Sequence, residues 1–331
     1  MNIIELSEKF PTERKAVKYF ETIRWGKKIL CPYCGNDSVS DYDWQHRHRC
    51  YGCGNAFSVT VNTQLHRTRV PLKLWLFAFS LISDAKKGIS TLQLQRNLKI
   101  DGKPMDYKTV YKLHNTIRLL MAMETNKTDQ LDGIVEIDET YIGGKLRLGE
   151  RALKEYKPQK KNAVLDAQIA ELREKGVNFK RGKGNRAAYD LPSQGRNPKH
   201  TPVIGIVQRN GDVVAEVMKT ITHEKLKAMV KEYVDEDNAT LVSDSAKYYV
   251  KMQNIIDHIA INHKKMYSYK GVNTNSIESF WAIIKRGIMG QYHHVSPQHL
   301  PEYISEFVFK YNNRNNTNMF GILVKNSMKP L

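Results

Sequence analysis

Four cysteines in a short window of the sequence have the spacing of a metal site. Cys31 and Cys34 form one pair with two residues between them, Cys50 and Cys53 form another, and fifteen residues separate the pairs. A tight turn within each pair can aim both sulfurs at one ion, and two pairs complete the tetrahedral thiolate shell of structural zinc. Disulfides or unconnected thiols are the alternatives. We predict one structural Zn²⁺ with no open position for catalysis.

The residues around the second pair, "DYDWQHRHRCYGCGNAFSVT", alternate polar and apolar side chains like a short hairpin. Gly35 and Gly54 each follow the second cysteine of a pair, where the turn needs an unusual backbone angle. The unit is therefore predicted to be a zinc ribbon. Its basic and histidine side chains make it a plausible DNA reader, and the two histidines are alternative zinc ligands; these residues are His46, Arg47, His48 and Arg49.

Three acidic residues stand where a second kind of metal chemistry could be built. Asp138 lies in the strand-like "GIVEIDETYIGGK", Asp244 ends the apolar "ATLVSD", and Glu278 sits in the first turn of the helical "NSIESFWAIIKRG". Each has a structural alternative. Asp138 could form the solvent face of an edge strand with Glu136 and Thr140, Asp244 could cap a helix, and Glu278 could face the helix dipole.

The order of elements would bring these carboxylates together. A strand over 134–142 is followed by a hairpin around Asn210 and Gly211, a helix from Thr222, a strand ending at Asp244, a helix, a candidate strand "IIDHIAINHKK" and the helix carrying Glu278. This order is close to that of a ribonuclease H-like α/β domain. In such a fold the three carboxylates can converge at one edge of the sheet.

The segment between the cysteines and the first strand predicts three helices. "VPLKLWLFAFSLISDAKKG" is strongly apolar, "ISTLQLQRNLKI" has Ser90 or Thr91 as its N-cap, and "MDYKTVYKLHNTIRLLMAM" leaves Lys112 and Arg118 outside its apolar stripe. A helix-turn-helix that contacts DNA through these two basic residues is one interpretation, and an ordinary three-helix bundle is the other. The predicted domains are 1–70, 71–128 and 129–331.

A basic insertion at about 146–200 interrupts the last domain. It is rich in Lys, Arg, Gly and Asn, with a candidate helix around 162–175. Lys180 and Arg181 are candidate phosphate contacts, and a solubilising loop is the alternative.

The charge balance of the chain favours a polyanionic partner. Lys and Arg total 52 against 34 for Asp and Glu, a formal net charge of +18 with a pI near 9.6. Nucleic acid is the commonest such partner. The sequence has no apolar run of about 18 residues and no secretory signal pattern at its start, so we expect a cytoplasmic, nucleoid-associated protein.

Taken together, the motifs resemble those of insertion-sequence transposases of the DDE type, in the branch with an N-terminal zinc ribbon. The resemblance rests on "CPYC…CYGCG", "VEIDETYIGGK", "LVSDSAKYY" and "NTNSIESFWAIIKRGIMGQYHHVSPQHLPEYISEFVFKYNNR", and covers most of the chain apart from the insertion. It implies that Asp138, Asp244 and Glu278 are the catalytic triad. Asn275, one turn before Glu278, is the alternative third residue because some relatives carry Asn there.

The resemblance also implies cofactors and partners. Two Mg²⁺ or Mn²⁺ ions would be held by the three carboxylates, with Asp138 bridging them, because hard divalent ions prefer oxygen ligands. Lys285 matches a basic residue that such families place against DNA, and Arg286 is predicted to do the same. The expected partner is double-stranded DNA, both the terminal repeats of the element and the target, bound by a homodimer or a larger assembly.

The function implied is metal-dependent cleavage of DNA at the ends of an insertion sequence, followed by strand transfer. A zinc-ribbon DNA-binding regulator without catalysis would suit the N-terminal half equally well. A ribonuclease H-like nuclease without strand transfer is a further alternative.

Overall fold

A computed structural model describes residues 1–40, 45–100, 102–125, 130–143, 200–244, 249–261 and 273–331. The chain divides into one unit made of Met1–Ile142 and Thr201–Leu331 and a second made of Gly143–His200. Only the first and last residues of the second unit are described. The predicted helix over 162–175 and the basic pair Lys180 and Arg181 therefore lie outside the described residues.

The N-terminal part of the first unit is mostly helical. Its helices are α1 (Ile3–Lys9), α2 (Glu13–Trp25), α3 (Leu72–Asp84), α4 (Thr91–Asn97) and α5 (Tyr107–Thr125). Two short antiparallel hairpins accompany them: β1 (His48–Arg49) with β2 (Ala56–Phe57), and β3 (Lys99–Ile100) with β4 (Lys103–Pro104). The first hairpin was predicted in the cysteine segment; the second, between α4 and α5, was not.

A five-stranded mixed sheet organises the rest of the unit. Its strands are β5 (Leu131–Ile142), β6 (Thr201–Gln208), β7 (Val213–Val217), β8 (Val234–Asp244) and β9 (Asp257–Ile261), in the order β7-β6-β5-β8-β9. β5, β6 and β7 pair antiparallel, whereas β8 runs parallel to both β5 and β9. β5 is therefore the central strand, and the edge-strand alternative for it is wrong.

Helices cover both faces of this sheet. α6 (His223–Tyr233) packs on one face, where it meets the alternate side chains Val135 and Ile137 of β5. α7 (Asn275–Gly287) and α8 (Leu300–Asn312) pack on the other. Because side chains of a strand alternate between faces, Glu136 and Asp138 of β5 lie on the side of α7.

Local signals predicted many element boundaries correctly. The hairpin turn has Asn210 at φ 63°, and Ser90 and Thr222 are the N-caps of α4 and α6. Other boundaries differ. A five-residue 3₁₀ turn at Val250–Asn254 lies where an α-helix was predicted, and Thr274 stands at the N-cap of α7.

The C-terminal helix α9 (Met319–Ser327) was not predicted, and it joins the N-terminal helices. Phe320, Leu323 and Val324 of α9 belong to the same buried cluster as side chains of α1 to α5. The three-domain division stays a prediction. In the described part of the chain, no helix is both long and apolar enough to cross a membrane.

Candidate active site and zinc site

Asp138 and Asp244 lie side by side on neighbouring parallel strands. The register pairs Ile137 of β5 with Ser243 of β8, so the next residue on each strand is one of the two aspartates. Asp244 is the last residue of β8 and is partly buried, as Asp138 is. Two of the three predicted catalytic carboxylates are therefore brought together: Asp244 lies at the carboxyl end of β8, and Asp138 lies beside it, four residues before the end of β5.

This neighbourhood changes the ionisation of Asp138. Burial raises the pKa of its carboxyl to about 7, and the charges of Glu139 and Asp244 add to the rise. Hydrogen bonds from the Glu139 backbone and Trp281 act in the opposite direction. A carboxyl with a raised pKa beside two other carboxylates is typical of a functional site that binds a cation.

α7 lies across these strands and contacts Asp138 directly. Trp281 donates its indole N–H to Asp138 Oδ2 at 3.1 Å. Gly205 of β6 is paired with Asp138, and a Cβ there would lie only 2.7 Å from the Trp281 ring and 2.9 Å from Ile277. The close approach of the helix to the sheet therefore requires glycine at position 205.

Glu278 lies on α7 one turn before Trp281, but its side chain is turned outward. It is exposed, and Thr274 donates its hydroxyl to Glu278 Oε1 at 3.1 Å. Among the described residues, the four cysteines form the only group of three or more ligands close enough to share a metal ion. The structure therefore does not gather Asp138, Asp244 and Glu278 around one point. The alternative third residue, Asn275, is the first residue of α7 and is exposed.

Glu136 is a residue whose role the sequence reasoning missed. It was considered only as part of a solvent face, yet it is fully buried and accepts hydrogen bonds from the first turn of α7. Thr140, on the same face of β5, is also buried. The alternation that places Glu136 and Asp138 on one face was a usable signal, but it does not reveal that a helix covers that face.

Three of the predicted DNA contacts are on the surface. Lys285 and Arg286, in the last turn of α7, are exposed, and Lys285 lies two turns beyond Glu278. Lys112 of α5 is also exposed and lines a groove with other basic side chains. Those neighbours are Arg67, Arg69 and Lys108.

Arg118, the other predicted DNA contact among the described residues, was predicted wrongly, because its side chain is fully buried. Its Nε donates to Glu306 Oε2 of α8 at 2.9 Å, and its guanidinium lies 3.8 Å from the ring centroid of Tyr303. Glu306 is buried as well and also accepts from Lys310 Nζ at 2.6 Å. Arg118 thus joins α5 to α8 and has no surface with which to contact DNA. His114, beside it, is buried too.

The four cysteines form a cluster, as predicted from their spacing. Sγ of Cys31 lies 3.7 Å from that of Cys53, and Sγ of Cys34 lies 3.5 Å from that of Cys50. All four sulfurs are within 4.8 Å of one another. Four thiolates bound to zinc at about 2.3 Å are separated by roughly 3.8 Å. The spacing therefore fits a structural zinc ion.

The two turns that present the sulfurs are built alike. Gly35 and Gly54 have φ of 74° and 73°, the unusual backbone angle expected after the second cysteine of each pair. They donate their N–H groups to the carbonyls of Cys31 and Cys50. The Asn55 backbone lowers the pKa of the Cys53 thiol to about 7. A backbone hydrogen bond from Asn36 lowers the pKa of Cys34, but the neighbouring thiols outweigh it and raise that pKa to about 12.

His48 does not serve as a zinc ligand or as a DNA reader. It is buried, with Nδ1 2.6 Å from the Ser40 carbonyl and Nε2 2.9 Å from Glu21 Oε1 of α2. The side chain ties the ribbon to α2. Arg49 remains exposed on the first hairpin strand, as the prediction of a DNA-reading ribbon needs.

Two family models match parts of the chain. Residues 168–312 match the family described as the ISXO2-like transposase domain, and residues 11–56 match the transposase zinc-ribbon domain. Together the two matches cover more than half of the chain. The second contains all four cysteines; the first contains Asp244 and Glu278, whereas Asp138 precedes it.

The chain is also similar to an uncharacterized protein in transposable element ISH50 of Halobacterium salinarum. The two sequences are 30% identical over 145 residues, which make up 43% of this chain and 46% of that protein. The similarity thus spans less than half the length of this relative.

Proposed function

We propose that this chain, whose residues 168–312 match the ISXO2-like transposase domain, is a transposase that cuts and joins DNA with Asp138, Asp244 and Glu278. The observation that carries the proposal is the adjacency of Asp138 and Asp244 on neighbouring parallel strands, beneath the helix that bears Glu278. The strand order and the central position of β5 support a ribonuclease H-like fold for this part of the chain.

The donor set suits a hard divalent ion. All three side chains offer carboxylate oxygens, and the charges of Glu139 and Asp244 add to the effect of burial in raising the pKa of Asp138. Glu278 would join the aspartates by breaking its hydrogen bond from Thr274 and changing its side-chain rotamer. Bound Mg²⁺ or Mn²⁺ would supply activation of an oxygen nucleophile and neutralisation of charge on the phosphate.

The protein's own residues position the reacting DNA. Lys285, exposed on the same helix as Glu278, would hold a phosphate near the carboxylates, with Arg286 beside it. Lys112 would contact the backbone of the terminal repeat, and the zinc ribbon would take part in finding the end. Two ends must be joined to one target, so we expect a homodimer or larger assembly on DNA.

The test is a nicking assay on a labelled duplex of the element's own terminal repeat. Wild-type protein with Mg²⁺ should cut at the element boundary, and the chelator EDTA should abolish cutting. Asp138→Asn, Asp244→Asn and Glu278→Gln should each lose cleavage by at least a factor of about 10³ while still binding the duplex, because each removes a metal ligand.

Asp237→Asn is the matched control, since Asp237 lies on the same strand as Asp244 but is exposed. It should cut like wild type. Retained cleavage in a triad variant would remove that residue from the triad. Tight binding without nicking in any divalent metal would instead support a non-catalytic DNA-binding regulator.

A further inference from the structure

Glu136 is a fully buried carboxylate with an unusual number of hydrogen-bond donors. Ser276 donates both its backbone N–H, to Oε2 at 2.8 Å, and its hydroxyl, to Oε1 at 3.0 Å. Ile277 N donates to Oε2 at 3.0 Å. Arg209 contributes Nε and a terminal nitrogen, which lie 3.3 and 3.1 Å from Oε1. These donors compensate the cost of burying the charge.

The carboxylate of Glu136 takes the place of a local helix cap. Thr274 stands at the N-cap of α7 but makes no side-chain capping hydrogen bond. The exposed N–H groups of a first helical turn need acceptors, and the positive end of the helix dipole favours an anion. Here the acceptor comes from β5, 140 residues earlier in the chain.

Arg209 extends this contact to the residue before the helix. One terminal nitrogen donates both to Glu136 and to the backbone carbonyl of Asn273, at 3.0 Å. We call Glu136, Arg209 and their contacts to 273–277 the N-terminal clamp of α7. The clamp fixes where the helix begins relative to the central strand.

A second contact fixes the helix two residues further along β5. Asp138 shares a face with Glu136 and accepts the indole N–H of Trp281. Glu278 lies on α7 between the two attachment points, one residue after Ile277 and three before Trp281. These two contacts with β5 therefore fix both the rotation of α7 about its axis and its position along that axis, and with them the position of Glu278 relative to Asp138.

We propose that Glu136 is a positioning residue, which holds α7 so that Glu278 can reach the metal ions bound by Asp138 and Asp244. This inference rests on the proposed function. Glu136 does not touch the metal or the DNA; it acts through the first turn of α7. Displacing that turn by about 1 Å is enough to weaken a shared metal site severely.

The test measures metal binding directly on the full-length, zinc-loaded protein. Mn²⁺ affinity is measured by electron paramagnetic resonance for wild type, Glu136→Gln and Glu278→Gln, beside Mg²⁺-dependent nicking. Glutamine keeps the size of the side chain but replaces one acceptor oxygen with an NH₂ group. We expect Glu136→Gln to weaken Mn²⁺ binding about tenfold, within the range for residues that orient metal ligands. Binding of the terminal repeat should stay unchanged.

One further measurement and two further variants make the result decisive. Hydrogen exchange should show faster exchange of the Ser276 and Ile277 amides in Glu136→Gln. Asp132→Asn, an exposed position on β5, is the control and should match wild type in every assay. If Glu136→Gln is unfolded at the assay temperature, Ser276→Ala removes one donor to Glu136 and should give a smaller loss of Mn²⁺ affinity in the same direction.

The outcomes separate this inference from the proposed function. Unchanged Mn²⁺ affinity in a folded Glu136→Gln, even with a lower melting temperature, would make Glu136 a purely structural residue and overturn the inference. If Glu278→Gln leaves Mn²⁺ binding and nicking intact, the assignment of Glu278 fails, and the positioning role of Glu136 fails with it.

Discussion

Trp281 donates its indole N–H to Asp138 Oδ2 at 3.1 Å, which joins the helix that carries Glu278 to the central strand of the sheet. The contact forms above Gly205, the residue paired with Asp138 on β6. A tryptophan ring can lie this close to a strand only where the strand offers no side chain beneath it. The hydrogen bond and the glycine thus act together to hold α7 close to the sheet.

Gly205→Ala should therefore displace α7 from its position on the sheet. The new Cβ would lie 2.7 Å from the Trp281 ring and 2.9 Å from Ile277 Cδ1, both on α7, so these side chains and the helix that carries them must shift. We expect a loss of about 1–3 kcal/mol in the free energy of unfolding, typical of overpacking, together with weakened nicking. Chemical denaturation and the nicking assay measure the two effects.

Gly290→Ala is the matched control, because a Cβ at Gly290 meets nothing within 4 Å. It should leave both the free energy of unfolding and nicking close to wild type. A Gly205→Ala variant of wild-type stability would contradict the close approach described here.

Periodicity in the sequence was sufficient to predict the elements that hold the candidate site. The alternating residues of β5, the Asn210-Gly211 turn and the Ser90 and Thr222 caps are local signals, and the structure confirms them. The cysteine spacing predicted the sulfur cluster for the same reason, since each pair is presented by its own turn.

Partners distant in the sequence could not be predicted. The burial of Glu136 depends on a helix 140 residues away, and that of Arg118 on Glu306, 188 residues away. A basic residue beside an apolar stripe is usually solvated, so Arg118 resembled Lys112 in the sequence. Only the packing of α8 against α5 distinguishes the two.

The raised pKa of Asp138 predicts a pH dependence of stability. Its folded pKa is about 7, whereas an unfolded aspartate ionises near 3.8, so the folded state retains the proton over this interval. Stability must then fall as pH rises from about 4 to about 7. Asp138→Asn removes this dependence and should be more stable than wild type at pH 8, by up to about 4 kcal/mol.

Denaturant unfolding at several pH values, in zinc but without magnesium or manganese, measures this effect. The difference between Asp138→Asn and wild type should grow between pH 4 and 7 and then level off. Asp237→Asn, at an exposed position, is the control and should show no such growth. A constant difference across the range would mean that Asp138 keeps an ordinary pKa.

Arg118 and Lys112 lie on one helix and should respond oppositely to substitution. Arg118→Ala leaves Glu306 buried without one of its two cationic partners, at a cost of about 3–5 kcal/mol in the free energy of unfolding. Lys112→Ala should change stability by less than about 0.5 kcal/mol. It should instead weaken binding to duplex DNA and lower the salt dependence of that binding by about one phosphate contact.

Binding isotherms at several salt concentrations, beside denaturation curves, distinguish these roles. An Arg118→Ala protein of normal stability that binds DNA poorly would restore Arg118 as a DNA contact. If DNA binding by Lys112→Ala keeps an unchanged salt dependence, the groove that Lys112 lines is not part of the DNA interface.

The sulfur cluster predicts one zinc ion per chain, held independently of the sheet. Cys50→Ser should lose bound zinc, because one sulfur of four is missing and Cys50 is fully buried. The ribbon should then lose its protection from proteolysis, while the helical core formed by α1 to α5 and α9 stays folded, since the cysteines are not part of that cluster. Elemental analysis and limited proteolysis measure the two effects.

Tyr51→Ser, an exposed change in the same turn, is the control and should keep its zinc. A Cys50→Ser protein with a full equivalent of zinc would show that this cluster is not the zinc site.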